Sequence, residues 1–282
     1  MRTQLDVRLA DDYEAAHIPN ALNIPVFEVG FLERVTEALP DKAAPIELYG
    51  ASPESHEAAM ALEKLERAGY KDVTILPDGF AGWLSDGYGV ARGEGLPAPP
   101  APLEGRKELD LEKSVLRWTG RNLLNHHTGT VAIERGHLAF ENGQLASGQI
   151  VIDLERIDCD DLKGSDLHDV LIKHLQDHDF FDTSQHPKAT LDIHSSERTQ
   201  PEPGTENLSL KTELTLRGQT HALDILATAG VTEDGRAAAQ SAFTIDRTKW
   251  GVIYGSGRFF DRLAGHLVND LIELQVTIVT RP

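Results

Sequence analysis

The stretch that most limits how this chain can fold is Ala91–Gly105, fifteen residues that hold four prolines, three glycines and no hydrophobic period. Proline fixes its own φ and lacks the backbone N–H that a helix interior or a central strand needs. Such a run reads as a semi-rigid linker. It divides the 282 residues into a segment 1–90, a linker 91–107 and a segment 108–282, and each outer segment is long enough to bury a core of its own.

The two sides follow different periods. Before the linker, Ile46-Glu47-Leu48-Tyr49 reads as a short apolar strand. Leu62 and Leu65 give the stripe of a helix that starts at an expected Ser55 cap and that Gly69 can close, and Val73, Ile75 and Leu76 follow as a strand. Alternation of this kind predicts a small α/β domain with a parallel sheet. After the linker the period becomes two: Ile150, Ile152 and Leu154, then Leu208, Leu210, Leu214 and Leu216, then Phe243 and Ile245, then Ile272, Leu274, Val276 and Ile278. At least seven such segments predict an all-β antiparallel sandwich or barrel. One helix is expected among them, capped by Ser165, with Leu167, Val170, Leu171, His174, Leu175 and His178 at helical spacing.

Charge narrows the partners. The formal net charge is −18, with 9 basic against 18 acidic residues up to residue 106 and 18 against 27 beyond it. A nucleic-acid phosphate backbone is repelled by both halves, and anionic lipid surfaces are disfavoured. No apolar run approaches the roughly 20 residues of a spanning helix, so no stable membrane insertion is expected. Met1 runs almost at once into Asp6-Val7-Arg8, which gives the expectation of no signal peptide and a cytoplasmic location. Cys159 is the only cysteine, so there is neither an internal disulfide nor a thiolate metal cluster.

Within 1–90, the order Leu5-Asp6-Val7-Arg8, Tyr13, His17-Ile18-Pro19-Asn20-Ala21-Leu22-Asn23-Ile24-Pro25, Ala68-Gly69-Tyr70-Lys71-Asp72-Val73 and Asp78-Gly79-Phe80-Ala81-Gly82-Trp83 resembles a rhodanese-like domain. In active members the strand ends in a cysteine that carries a persulfide, in a loop whose N–H groups and an arginine stabilise anionic sulfur. Matching the loops places Gly50 at the cysteine and Ser55 at the arginine. Pro53 also lacks an N–H, and Glu54 would repel an anionic substrate. Because sulfur transfer needs an attacking thiolate, the expectation is an inactive domain and a chain that is not an enzyme. Asp6 and Arg8 read as a buried ion pair that anchors the loop after the strand, and His17 as a structural side chain.

Beyond the linker, Ser114–Gly120, Thr128-Gly129-Thr130-Val131, Leu171–Asp182 with its Asp179-Phe180-Phe181-Asp182, His186-Pro187-Lys188-Ala189-Thr190, Leu214-Thr215-Leu216-Arg217-Gly218 and Asp246-Arg247-Thr248-Lys249-Trp250-Gly251 occur in one order. They resemble the YceI-like family of lipocalin-like barrels associated with polyisoprenoid binding. The resemblance implies an eight-stranded antiparallel barrel with one helical excursion, and an apolar, lipid-like partner such as an isoprenoid or a quinone-like molecule inside. Related barrels often pair, so a homodimer through this domain is a further expectation. No cofactor is called for beyond such a lipid. An eight-stranded barrel either fills its interior with side chains or holds one small apolar ligand. The candidate ligand-binding residues are Trp118, Leu123, His126, His127, Phe140, His174, Phe180, Phe181, Trp250, Tyr254, Arg258, Phe259 and Phe260. The aromatics among them would equally serve as core packing. The glycine-rich run Tyr254–Asp261 either admits a ligand head group, with Arg258 as counter-charge, or is a loop of unusual torsions.

Ten of the twelve histidines lie after the linker. His174 and His178 stand four apart, a spacing that can chelate a metal, with His126 and His127 as further donors. No metal site is called from this, because a structural histidine is the commoner outcome. Metal or haem binding and sulfurtransferase chemistry remain the alternatives to a lipid carrier. Cys159, among Asp158, Asp160 and Asp161, reads as a poor nucleophile at a strand end.

Overall fold

The computed structural model describes residues 2–93, 101–200, 204–232, 234–263 and 266–282. The chain separates into two compact units, Met1–Pro99 and Pro100–Pro282. Residues 94–100 of the expected linker lie outside the described residues.

In the first unit four strands, β1 (Thr3–Asp6), β2 (Leu22–Asn23), β3 (Ile46–Tyr49) and β4 (Val73–Ile75), form an all-parallel sheet in the order β2-β1-β3-β4. The helices are α1 (Ala10–Ala15), α2 (Phe31–Ala38), α3 (Glu57–Arg67) and α4 (Gly79–Ser85). A parallel sheet needs covering on both faces, so its strands run apolar rather than alternate. Leu5, Ile46, Leu48 and Tyr49 are all completely buried. Gly69, at φ 93°, ends α3 as the sequence predicts: its N–H reaches the Glu66 carbonyl and that of Tyr70 reaches Leu65. The start of α3 differs from the expectation. Ser55 does not cap it, because its hydroxyl is spent on the preceding turn, donating to the Ser52 carbonyl (2.7 Å) and accepting from the Ser52 N–H (3.2 Å).

Asp6 and Arg8 pair as expected in the interior (2.6 Å), and Arg8 also donates to the Ala16 carbonyl and lies over the Phe80 ring. Holding both charges together with a backbone acceptor is what makes their burial tolerable. His17 is structural too, stacked on Tyr13 with Nδ1 2.7 Å from the Tyr13 carbonyl oxygen.

The second unit is a closed antiparallel barrel of β6 (Val115–Asn122), β7 (His126–Glu141), β8 (Gln144–Cys159), β9 (Lys188–Arg198), β10 (Leu208–Leu216), β11 (Gln219–Val231), β12 (Ala237–Asp246) and β13 (Val268–Val279). Pairing of β7 with β8 completes the ring, and a short β5 (Gly105–Glu108) is added along the far end of β7. Strand β10 shows why the period-two pattern closes a core. Leu210, Thr212, Leu214 and Leu216 are buried, whereas Lys211 and Glu213 face out. Arg217 (φ 50°) and Gly218 (φ 70°) make the tight hairpin turn between β10 and β11. The Arg217 side chain then donates to the carbonyls of Gly251 and His178, 2.6 Å each, tying two excursions to the barrel end.

One excursion carries α5 (Leu167–Gln176). This helix is shorter than the sequence suggested. Ser165 does accept the Leu167 N–H (3.2 Å), but Asp177 turns extended (ψ 164°) and the helix stops before His178. His174 and His178 therefore do not share a helical face.

Candidate functional site

Two apolar cavities lie inside the barrel, of about 150 Å³ and about 110 Å³. They are stacked along its axis. Strand β10 gives Leu208 and Leu210 to the first and Leu214 and Leu216 to the second; β13 gives Val276 and Ile278 to the first and Ile272 and Leu274 to the second. Between them on β10 sits Thr212, buried and lining neither. A dry cavity of about 150 Å³ holds a molecule the size of benzene, so each space takes a ring or a short piece of alkyl chain.

The ends differ in polarity. Arg198, Gln144 and Asn207 line the first cavity where β9 and β10 meet solvent. Asn207 is bonded in both directions to Ala229, whereas Arg198 has no ion-pair partner among the described residues. Among the described residues, the second cavity has a single charged lining residue, Arg247, which is fully buried at the start of a 3₁₀ turn, Arg247–Trp250. Its three guanidinium nitrogens each donate to a carbonyl: Nε to Asn269 (3.0 Å), Nη1 to Val252 (2.6 Å) and Nη2 to Val268 (3.1 Å). Burial pulls its pKa below the usual arginine value, yet the fork is spent on backbone and offers a ligand little.

Of the residues expected at the site, Phe140 lines the first cavity and Trp118, Phe180 and Phe181 line the second. Trp250 is buried but lines neither; its indole N–H donates to the Leu214 carbonyl and it packs the core. His174 stacks edge-on against Phe180 and Tyr254 behind the cavity wall. Leu123, Tyr254, Phe259 and Phe260 are 37–59% exposed, and His126 is exposed at the start of β7. Arg258 bonds to Asp246 and Asp270 rather than facing an interior ligand (2.8 and 2.7 Å). His127 lines neither cavity and pairs with Asp161 near the start of β7 (2.8 Å). The aliphatic side chains of β8 to β13 that supply most of the lining were legible as inward positions. Arg198 was not, because polar strand ends look alike in sequence.

The N-terminal loop has also lost its room. A Cβ built on Gly50 would stand 2.8 Å from Ser55 Oγ and 2.9 Å from Glu57 Oε2, too close for any side chain without displacement. Glu57 Oε2 is itself buried with no hydrogen-bond partner. A side chain at residue 50 would therefore have to displace the ends of the Ser55 and Glu57 side chains.

The YceI-like domain model matches residues 108–280, more than half of the chain. The chain belongs to the YceI-like family. Its N-terminal unit is a rhodanese-like domain, matched over residues 2–86. The YceI-like barrel is similar in structure to Burkholderia cenocepacia BcnA, with 19% identity and a TM-score of 0.48 over 61% of this chain and 99% of that one. It is also similar to a polyisoprenoid binding domain from Saccharophagus degradans, with 14% identity and a TM-score of 0.48 over 64% of this chain and 99% of that one. Among curated proteins, the thiosulfate sulfurtransferase PspE of Escherichia coli (strain K12) is 35% identical over 69 residues, which are 24% of this chain. That match spans 62% of the relative's own length. No helix among the described residues is long and apolar enough to cross a membrane.

Proposed function

We propose that this YceI-like protein is a non-enzymatic carrier that holds one long-chain apolar lipid in the barrel, tail in the first cavity and polar head at Arg198. The observation that carries this is the pair of stacked, almost wholly apolar cavities inside a closed barrel. Ligand sites are mostly apolar with a few placed polar groups, and the first cavity has that make-up. Polyisoprenoids are the ligand class that the family resemblance suggests, and the name of the Saccharophagus relative agrees with it. In this reading the rhodanese-like domain serves interaction or stability.

Native mass spectrometry of the full chain purified without detergent tests the proposal. The expected result is a bound species of several hundred daltons that organic solvent removes, and displacement of a fluorescent long-chain fatty acid from the refolded protein by isoprenoid alcohols. No adduct together with no binding of the fluorescent chain would overturn it.

The name of the curated relative favours a second reading, sulfurtransferase activity. Against it stand Gly50 in the thiol position and the Glu57 oxygen beside it. Thiosulfate–cyanide turnover that survives Cys159→Ala would restore the second reading and remove the non-enzymatic one.

A further inference from the structure

Cys159, which the sequence marks only as an inert thiol at a strand end, does not stand alone. Gly129 of β7 pairs with Cys159 at the end of β8. A Cβ on Gly129 would lie 1.9 Å from the Asp158 carbonyl oxygen, so only glycine lets the two strands approach this closely. The approach folds the segment after β8 back over β7. The Asp160 N–H donates to the Thr128 carbonyl (2.8 Å), and the Thr128 N–H donates to Asp161 Oδ1 (2.7 Å). Three ligand-type atoms gather as a result: His127 Nδ1, Cys159 Sγ and an Asp161 carboxylate oxygen, all within 4.8 Å of one another.

In the absence of an ion the three satisfy each other. His127 Nδ1 is 2.8 Å from Asp161 Oδ2, and the Cys159 thiol donates to Asp161 Oδ1 at 3.2 Å. Burial, and then the hydrogen bond to Asp161, push the Cys159 thiol up to about 11. Burial alone would raise the Asp161 carboxyl as well, but the Thr128 N–H, His127 and Cys159 outweigh it and hold that carboxyl down at about 2.

We propose that His127, Cys159 and Asp161 form a binding site for a zinc-class divalent cation on the barrel wall, with water as fourth ligand. Nitrogen, thiolate sulfur and carboxylate oxygen at about 2.0 to 2.3 Å from the ion place neighbouring donors about 3 to 4 Å apart, so the His127–Asp161 and Cys159–Asp161 contacts, at 2.8 and 3.2 Å, each open by less than an ångström. Thiolate with imidazole selects zinc over magnesium or calcium. The sulfur is completely buried, while His127 and Asp161 are 29% and 33% exposed, which leaves an outer side for the water. The Thr128 N–H stays on Asp161 and fixes its orientation. Binding breaks the S–H bond and releases that proton to solvent; the proton that His127 Nδ1 donates to Asp161 must also leave Nδ1, so the imidazole ligates as the tautomer that carries its proton on Nε2. Thiolate and carboxylate then balance the two charges of the ion.

The acids around the triad are committed elsewhere: Asp158 to His168 and Lys163, Asp160 to Arg117 and Lys163. A second group, Asp177, His178 and Asp179, offers no thiolate and serves as a control. The site does not depend on the lipid reading.

Titration of the full chain with cobalt(II) reads the site directly through the thiolate-to-cobalt charge-transfer band in the near ultraviolet. One equivalent saturates the band, zinc abolishes it, and the apparent affinity rises about tenfold per pH unit from pH 7 to 9, because one proton leaves per ion. Cys159→Ser removes the band. His127→Ala and Asp161→Asn, on the partly exposed side, weaken binding more than about tenfold, and His178→Ala changes nothing. No band at a large excess of cobalt, a band unaffected by His127→Ala and Asp161→Asn, or a band lost in His178→Ala would each overturn the proposal.

Discussion

Each half of this protein has a charged side chain filling space near a would-be site, and the two fillers are made differently. In the rhodanese-like domain the filler is Glu57, whose buried Oε2 has no partner. At the inner end of the barrel it is Arg247, whose every guanidinium nitrogen meets a carbonyl. An unpaired buried polar atom is a cost, whereas a fully paired one cannot be removed without orphaning its partners. Arg247 thus belongs to the architecture of the barrel, while Glu57 sits beside Gly50 with an oxygen that nothing binds.

The sharpest test of that contrast is Arg247→Leu. It strands the carbonyls of Asn269, Val252 and Val268, and a loss of about 3–5 kcal/mol is expected in denaturant unfolding of the barrel. A loss below about 1 kcal/mol would erase the distinction. Ala227→Phe comes next. It inserts a ring into the first cavity beside Leu210 and Ile225, and lipid retention in native mass spectrometry should vanish while stability changes by no more than about 1–3 kcal/mol. Undiminished retention would move the ligand elsewhere.

The remaining variants probe Glu57. Gly50→Cys alone should stay without thiosulfate–cyanide turnover, because Glu57 and Ser55 crowd the new thiol and the carboxylate keeps it protonated. Any turnover should appear only when Glu57→Ala is added. Activity in the single variant would mean that Glu57 swings aside freely. The smallest effect is expected from Glu57→Leu, neutral or stabilising by about 1 kcal/mol in thermal unfolding. A clear destabilisation would reveal a partner for that carboxylate.

How much of this was legible in sequence depended on whether periodicity or register decided it. The Pro/Gly run and the switch from helical spacing to period two located both folds, because Leu210, Leu214 and Leu216 alternate with Lys211 and Glu213 as the barrel demands. The Asp6–Arg8 pair was readable from two charges on an apolar strand end. Local hydrogen bonding was not: Ser55 looked like a cap but closes the turn before the helix, and Asp177 ended α5 ahead of His178. Nor could one chain reveal that Gly129 brings His127 onto Asp161 and Cys159, since cross-strand register depends on bulges in β7 and β8 that leave no trace in composition. The aromatic list overreached for a similar reason. Phe259 and Phe260 follow a glycine-rich turn whose direction the sequence does not encode, and both rings stand half in solvent.

Thr212 gives the barrel a ruler. From the level of Leu208 to that of Thr212 is four residues along a tilted strand, a depth of about 10 Å. On the carrier reading proposed above, a tail entering beside Arg198 would travel about that far before meeting Thr212, and anything longer would either push this level apart or leave its remainder outside. Guests would be sorted by how many carbons they carry, with chemical identity deciding little once the measure is filled.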